Sequence, residues 1–158
     1  MKSAITLVVF IGLAFLTGGV GGGVTVSALE TWYPSLTKPA LNPPDAVFGI
    51  VWPILFVLMS IAAWLVWREG WRAAEGVKRA LRLHFWQLLV NMGWSVVFFG
   101  LQSPLWAIPV VLLLWVLVAW MAREYRAISA PAFWLTMPYL AWITFAAYLN
   151  VAITVLNR

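Results

Sequence analysis

The chain has 158 residues, of which 64% are hydrophobic and only 9% charged, with a net charge of +5. An ordinary soluble domain carries roughly 45–50% apolar residues, so this composition excludes a water-soluble globule and predicts an all-α, polytopic membrane protein. There is no Cys and one His, so disulfide chemistry and a zinc site of three or four ligands are excluded as well.

The first apolar run extends from Ser3 to Leu29, longer than the roughly 20 residues that span a hydrocarbon core. A cleaved signal peptide ending at Val26-Ser27-Ala28 is the rival reading. The apolar stretch is too long for a typical signal core. Within this run stand Gly18, Gly19, Gly21, Gly22 and Gly23. Gly18 and Gly22 are four apart, as are Gly19 and Gly23. This spacing lets helix backbones approach closely. It serves a homodimer contact, packing within the chain, or space for a ligand.

Residues 30–45 form a polar connection with Pro34, Pro39, Pro43 and Pro44, which cannot be helical throughout. The second span is predicted over Ala46–Trp67, kinked at Pro53. A basic loop, Arg68–Arg82, follows and is expected to include the starts and ends of helices. Leu83 to Ala122 then contains no formal charge for 40 residues. Gly100-Leu101-Gln102-Ser103-Pro104 divides it with turn formers. A third span over 83–99 and a fourth over 105–122 result. Arg123–Ala130 is predicted to be a loop, with Pro131 starting a fifth helix whose span runs over 132–156.

With five spans, Lys2, Arg68, Arg72, Lys78, Arg79, Arg82, Arg123 and Arg126 share one side, and Lys38 and Arg158 the other, an asymmetry of eight to two. The excess of basic residues places the N-terminus in the cytoplasm. The clusters flank apolar runs, so the positive charge does not indicate nucleic acid. The expected location is a bacterial plasma membrane.

All five acidic residues, Glu30, Asp45, Glu69, Glu75 and Glu124, lie at span edges or in loops. Without a mid-membrane carboxylate a proton or cation pump is not expected, and no catalytic residues are assigned. His84 is expected to be interfacial or hydrogen-bonded rather than an iron ligand. Of the twelve Trp residues, Trp67, Trp71, Trp120 and Trp134 fall near span ends and suit interfacial belts. Others fall on shared helix faces: Phe48, Trp52, Leu55 and Met59; Gln87, Asn91, Trp94 and Phe98; Tyr139, Trp142, Ala146 and Asn150. Amides among aromatics are either interhelical glue or the lining of a small-molecule pocket.

Three ordered blocks carry a specific resemblance: Trp32-Tyr33-Pro34-Ser35-Leu36-Thr37-Lys38-Pro39 with Asn42-Pro43-Pro44 and Val51-Trp52-Pro53; Gln87 to Trp94 with Phe98-Phe99-Gly100; and Pro138-Tyr139-Leu140-Ala141-Trp142 with Leu149-Asn150. In these the chain resembles the tryptophan-rich sensory protein/translocator protein (TspO/MBR) family over nearly its whole length. The resemblance implies a five-helix bundle, usually a homodimer, that binds tetrapyrroles such as protoporphyrin IX or haem. It implies pocket residues Trp52, Asn91, Trp106, Trp142 and Ala146, with Gln87 and Trp94 in the matching block of helix three. It also implies a lid formed around Trp32, Lys38, Pro39, Pro43 and Pro44, with Lys38 placed to pair with a propionate. Porphyrin degradation in light or oxygen, and a ligand-free structural subunit, are the alternatives. The cholesterol pattern of animal members is missing, since Val151 and Ala152 follow Leu149-Asn150. A cholesterol role is therefore not expected.

Overall fold

The computed structural model describes residues 2–70 and 75–158; Trp71 and Arg72 lie outside the described residues. Among the described residues there are five α-helices: α1 (Lys2–Thr31), α2 (Asp45–Arg68), α3 (Glu75–Ser95), α4 (Pro104–Ile128) and α5 (Ala130–Leu156). A short 3₁₀ turn, Tyr33–Ser35, lies between α1 and α2, and a π-helical turn, Val96–Gly100, extends α3. Among the described residues four helices, α1, α2, α4 and α5, are long and apolar enough to cross a membrane by length and composition. The remaining helix, α3, carries Glu75, Lys78, Arg79 and Arg82 in its first turns, then no charge from Leu83 onward.

The helices close a ring in which α1 packs on α2 and α3, α2 on α5, and α4 on both α5 and α3. Hydrogen bonds fix which ends meet. The Trp64 indole donates to the Ser3 carbonyl at 2.8 Å, tying the end of α2 to the start of α1. Arg79 pairs with Glu124 at 2.7 Å, tying the start of α3 to the end of α4. At the opposite end, the Asn150 Nδ2 donates to the Pro104 carbonyl at 2.7 Å. Consecutive helices therefore run in alternating directions.

The basic connection contains the start of a helix, as expected, and the expected 123–130 loop is shorter than the sequence suggests. α3 begins at Glu75, so Lys78, Arg79 and Arg82 ride on a helix, where Lys78 also pairs with Glu75 at 2.6 Å. α4 continues to Ile128, and only Ser129 stands between it and α5, in extended conformation. Charge marks where the apolar character stops, whereas a helix continues while its backbone bonds continue; Arg123, Glu124 and Arg126 are good helix formers. Pro131 lies in the first turn of α5, where its missing N–H costs nothing. Between α3 and α4, the Leu101 amide reaches back to the Val96 carbonyl at 2.8 Å, and Gln102 adopts φ +50°. Left-handed backbone at a non-glycine residue is uncommon and confines this turn to one tight shape.

Candidate functional site

A cavity of about 410 Å³ lies between α1, α2 and α3. Its aromatic wall comes from α2 and α3: Phe48, Trp52 and Phe56 on one, Trp94 on the other, with Phe99 of the π-helical turn beside them. Trp52 is the hub. Its ring lies 5.6 Å from Phe56, 6.4 Å from Trp94 and from Tyr139, and 6.5 Å from Trp142.

The facing wall, from α1, combines glycine backbone with the side chains of Phe15, Thr17, Thr25, Val26 and Leu29. Gly18, Gly19, Gly21 and Gly22 of α1 all line the space. A β-carbon on Gly18 would run into the Phe56 ring, and one on Gly21 would lie 3.1 Å from the Ser95 side chain. Those two glycines let α1 approach α2 and α3. Gly19 and Gly22 meet nothing within 4 Å, so their missing side chains are part of the open volume. The cavity is not sealed, because Gly19, Val26, Gly49 and Pro53 on its rim are exposed.

The polar groups are few. Thr17 and Thr25 bond back to their own helix, at 3.0 Å and 2.8 Å. Asn91, Ser95 and Asp45 remain. Asn91 is held from behind: its Nδ2 donates to the Tyr139 hydroxyl at 2.9 Å, and that hydroxyl donates to Gln87 Oε1 at 2.7 Å. The Gln87 amide in turn reaches the Met59 sulfur at 3.5 Å. All three amides on the shared faces are thus interhelical ties, and two of them are only that. Gln87 is fully buried behind the wall, and Asn150 accepts from the Trp94 indole at 3.1 Å. Asn91 is both a tie and a wall residue.

Of the residues picked out in the sequence, Trp52, Asn91 and Trp94 line the cavity together. Gln87, Trp142 and Ala146 do not. Trp142 packs against the far side of Trp52 and against Phe48 at 5.9 Å, its indole N–H buried without a partner among the described residues. Trp106 is 70% exposed at the start of α4, away from the cavity. Neither expectation for His84 holds: it is fully buried, enclosed by the Phe10 and Phe85 rings at 5.7 Å and 5.8 Å, with both nitrogens unpaired among the described residues. Most other wall residues were not singled out from the sequence as site residues, Phe56, Ser95 and Asp45 among them. Phe56 and Ser95 carry no pattern beyond ordinary helix residues, and Asp45 reads as a helix-start acid.

The 32–44 connection packs on this end of the bundle. Tyr33 is buried against Phe48, Phe98 and Phe99, and its hydroxyl donates to Asn42 Oδ1 at 2.6 Å. Trp32 meets Phe98 edge-on at 5.9 Å. Lys38 stands with its Nζ 4.5 Å above the Tyr33 ring and is not part of the cavity wall. Burial, with Asp45 adding to it, pushes the Tyr33 phenol up to about 12.

Comparison with known proteins matches this arrangement to one family. The TspO/MBR family pattern fits residues 9–156. The chain belongs to the TspO/MBR family. It is 40% identical to the tryptophan-rich protein TspO of Chlorobaculum tepidum, over 99% of this chain and 98% of that one. It is 37% identical to the tryptophan-rich sensory protein of Cereibacter sphaeroides, over 92% and 90% of the two chains. It is also 35% identical to the translocator protein of Homo sapiens, over 77% and 72%. With its apolar helices, this TspO/MBR member is a multi-pass integral membrane protein.

Proposed function

We propose that the protein binds a tetrapyrrole, such as protoporphyrin IX or haem, in the cavity between α1, α2 and α3, and acts as a membrane sensor or translocator. The observation that carries this reading is the pairing of two unlike walls. Trp52 and Trp94 offer indole rings, and Gly18, Gly19, Gly21 and Gly22 on α1 offer backbone without side chains. A flat macrocycle stacks on the first and comes close to the second. The volume falls within the roughly 300–1,000 Å³ of small-molecule sites. Asn91, oriented through Tyr139, supplies the orienting polar group at the wall.

The 32–44 connection is read as the lid over this site, hinged on the Tyr33–Asn42 bond. A homodimer through α1 belongs to the same reading. Gly23 lies outside the cavity wall and is exposed, and an added β-carbon there meets nothing within 4 Å, which suits close approach of a second helix in lipid. Crosslinking in membranes of wild type against Gly23→Leu tests that part, with a lost dimer band expected. The binding claim is tested by titrating the detergent-purified protein with protoporphyrin IX. Saturable quenching of tryptophan fluorescence is expected, and quenching that rises linearly without saturation contradicts it.

A further inference from the structure

We propose that Asp45 is a charge filter at the mouth of the cavity, so that a ligand whose mouth-facing end is neutral or cationic binds more tightly than the same ligand bearing free carboxylates. The inference rests on the tetrapyrrole reading and names the chemical form that the site accepts.

Asp45 begins α2, directly after Pro44, and its side chain is on the cavity wall. Every other wall residue among those described is uncharged. Asp45 has no ion-pair partner within 4 Å among the described residues. The cation expected from the sequence to meet a propionate is turned elsewhere, since Lys38 lies over the Tyr33 ring at 4.5 Å. A carboxylate arriving at this mouth therefore meets one negative charge and no fixed positive side chain. Asp45 is exposed at the rim, so solvent and salt screen part of that repulsion. The positive end of the α2 dipole offsets only part of it. Esterified or protonated carboxyl groups escape the repulsion, and a cationic end is attracted.

The test compares protoporphyrin IX with its dimethyl ester on the full chain in detergent, by tryptophan quenching, for wild type, Asp45→Asn and Asp45→Glu. Wild type is expected to prefer the ester. Asp45→Asn should tighten the diacid at least about fivefold while moving the ester less than about twofold, the scale of one partly screened charge pair. Asp45→Glu should keep the wild-type preference, and added salt should narrow it. An Asn variant that shifts both ligands alike, or neither, overturns the filter. If the diacid binds wild type as tightly as the ester, the filter also fails while the tetrapyrrole reading stands. Failure of both ligands to saturate wild type removes the tetrapyrrole reading itself, and the filter with it.

Discussion

Asn157 brackets Thr37. Its Oδ1 accepts from the Thr37 amide at 2.9 Å, and its Nδ2 donates to the Thr37 carbonyl at 2.9 Å. A residue at the end of α5 thus holds the connection between α1 and α2 by a backbone-mimicking pair, across 120 residues of sequence. Asn157→Ala removes both bonds, each contributing up to about 1 kcal/mol at an exposed position. Faster amide hydrogen exchange is expected in residues 33–44, with the middle of α4 unchanged. Equal exchange in both forms would show that the Tyr33 contacts alone hold the lid.

The aromatic residues should separate by their distance from the cavity. Trp52→Leu removes the hub of the wall and should weaken protoporphyrin IX binding by at least roughly tenfold, about 1.4 kcal/mol. Trp142→Leu removes a ring that supports Trp52 from behind, so a smaller loss is expected. Trp134 is 68% exposed, and Trp134→Leu should leave binding unchanged. Parallel titrations of the three variants check this order. Equal losses at all three positions would indicate general misfolding rather than a site.

The lid carries a pH dependence of definite sign. The Tyr33 phenol is raised from 10 to about 12 by burial and by Asp45, so the folded lid favours the neutral form. Below about pH 10 its contribution is fully present. Between pH 10 and about 12 the unfolded phenol gives up its proton while the folded one keeps it, and the contribution is lost as pH rises. Ultraviolet titration of tyrosine ionisation should find a phenol that ionises near pH 12 and is absent in Tyr33→Phe. Asp45→Asn should bring that transition down. A Tyr33 transition at the ordinary value would contradict the buried clasp.

Orientation in the membrane follows from the positions of Lys and Arg. The end of the bundle with Arg68, Lys78, Arg79, Arg82, Arg123 and Arg126 is expected in the cytoplasm together with the N-terminus. The lid and the C-terminus are then expected outside. Reporter fusions at the two termini check this. A cytoplasmic C-terminal reporter would contradict the orientation.

Legibility differed between fold and site for physical reasons. The helices were readable because lipid-facing runs must be long, continuous and uncharged, and because proline and glycine interrupt them at 34–44 and 100–104. Helix ends were less readable. Leaving the apolar phase does not end a helix, so α3 starts before Leu83 and α4 outlasts Ala122. Shared-face spacing grouped Trp52 with Phe48 and Asn91 with Trp94, and these four line one cavity. It could not say which residues of those faces reach the cavity, and Trp142 and Ala146 do not line it. The glycine run admitted three readings from sequence. Its two inward glycines, Gly18 and Gly21, became distinguishable from Gly19 and Gly22 only through the positions of Phe56 and Ser95.

The central claim is that the open volume beside the α1 glycines is a ligand site, and Gly22→Leu addresses it most directly. Gly22 lines the cavity, and an added β-carbon there meets nothing within 4 Å, so leucine fills the space without forcing the helices apart. Tryptophan quenching by protoporphyrin IX should then lose its saturable component while the thermal unfolding midpoint in detergent stays near wild type. Saturable binding of wild-type strength in a folded Gly22→Leu protein would place the ligand elsewhere and contradict the account.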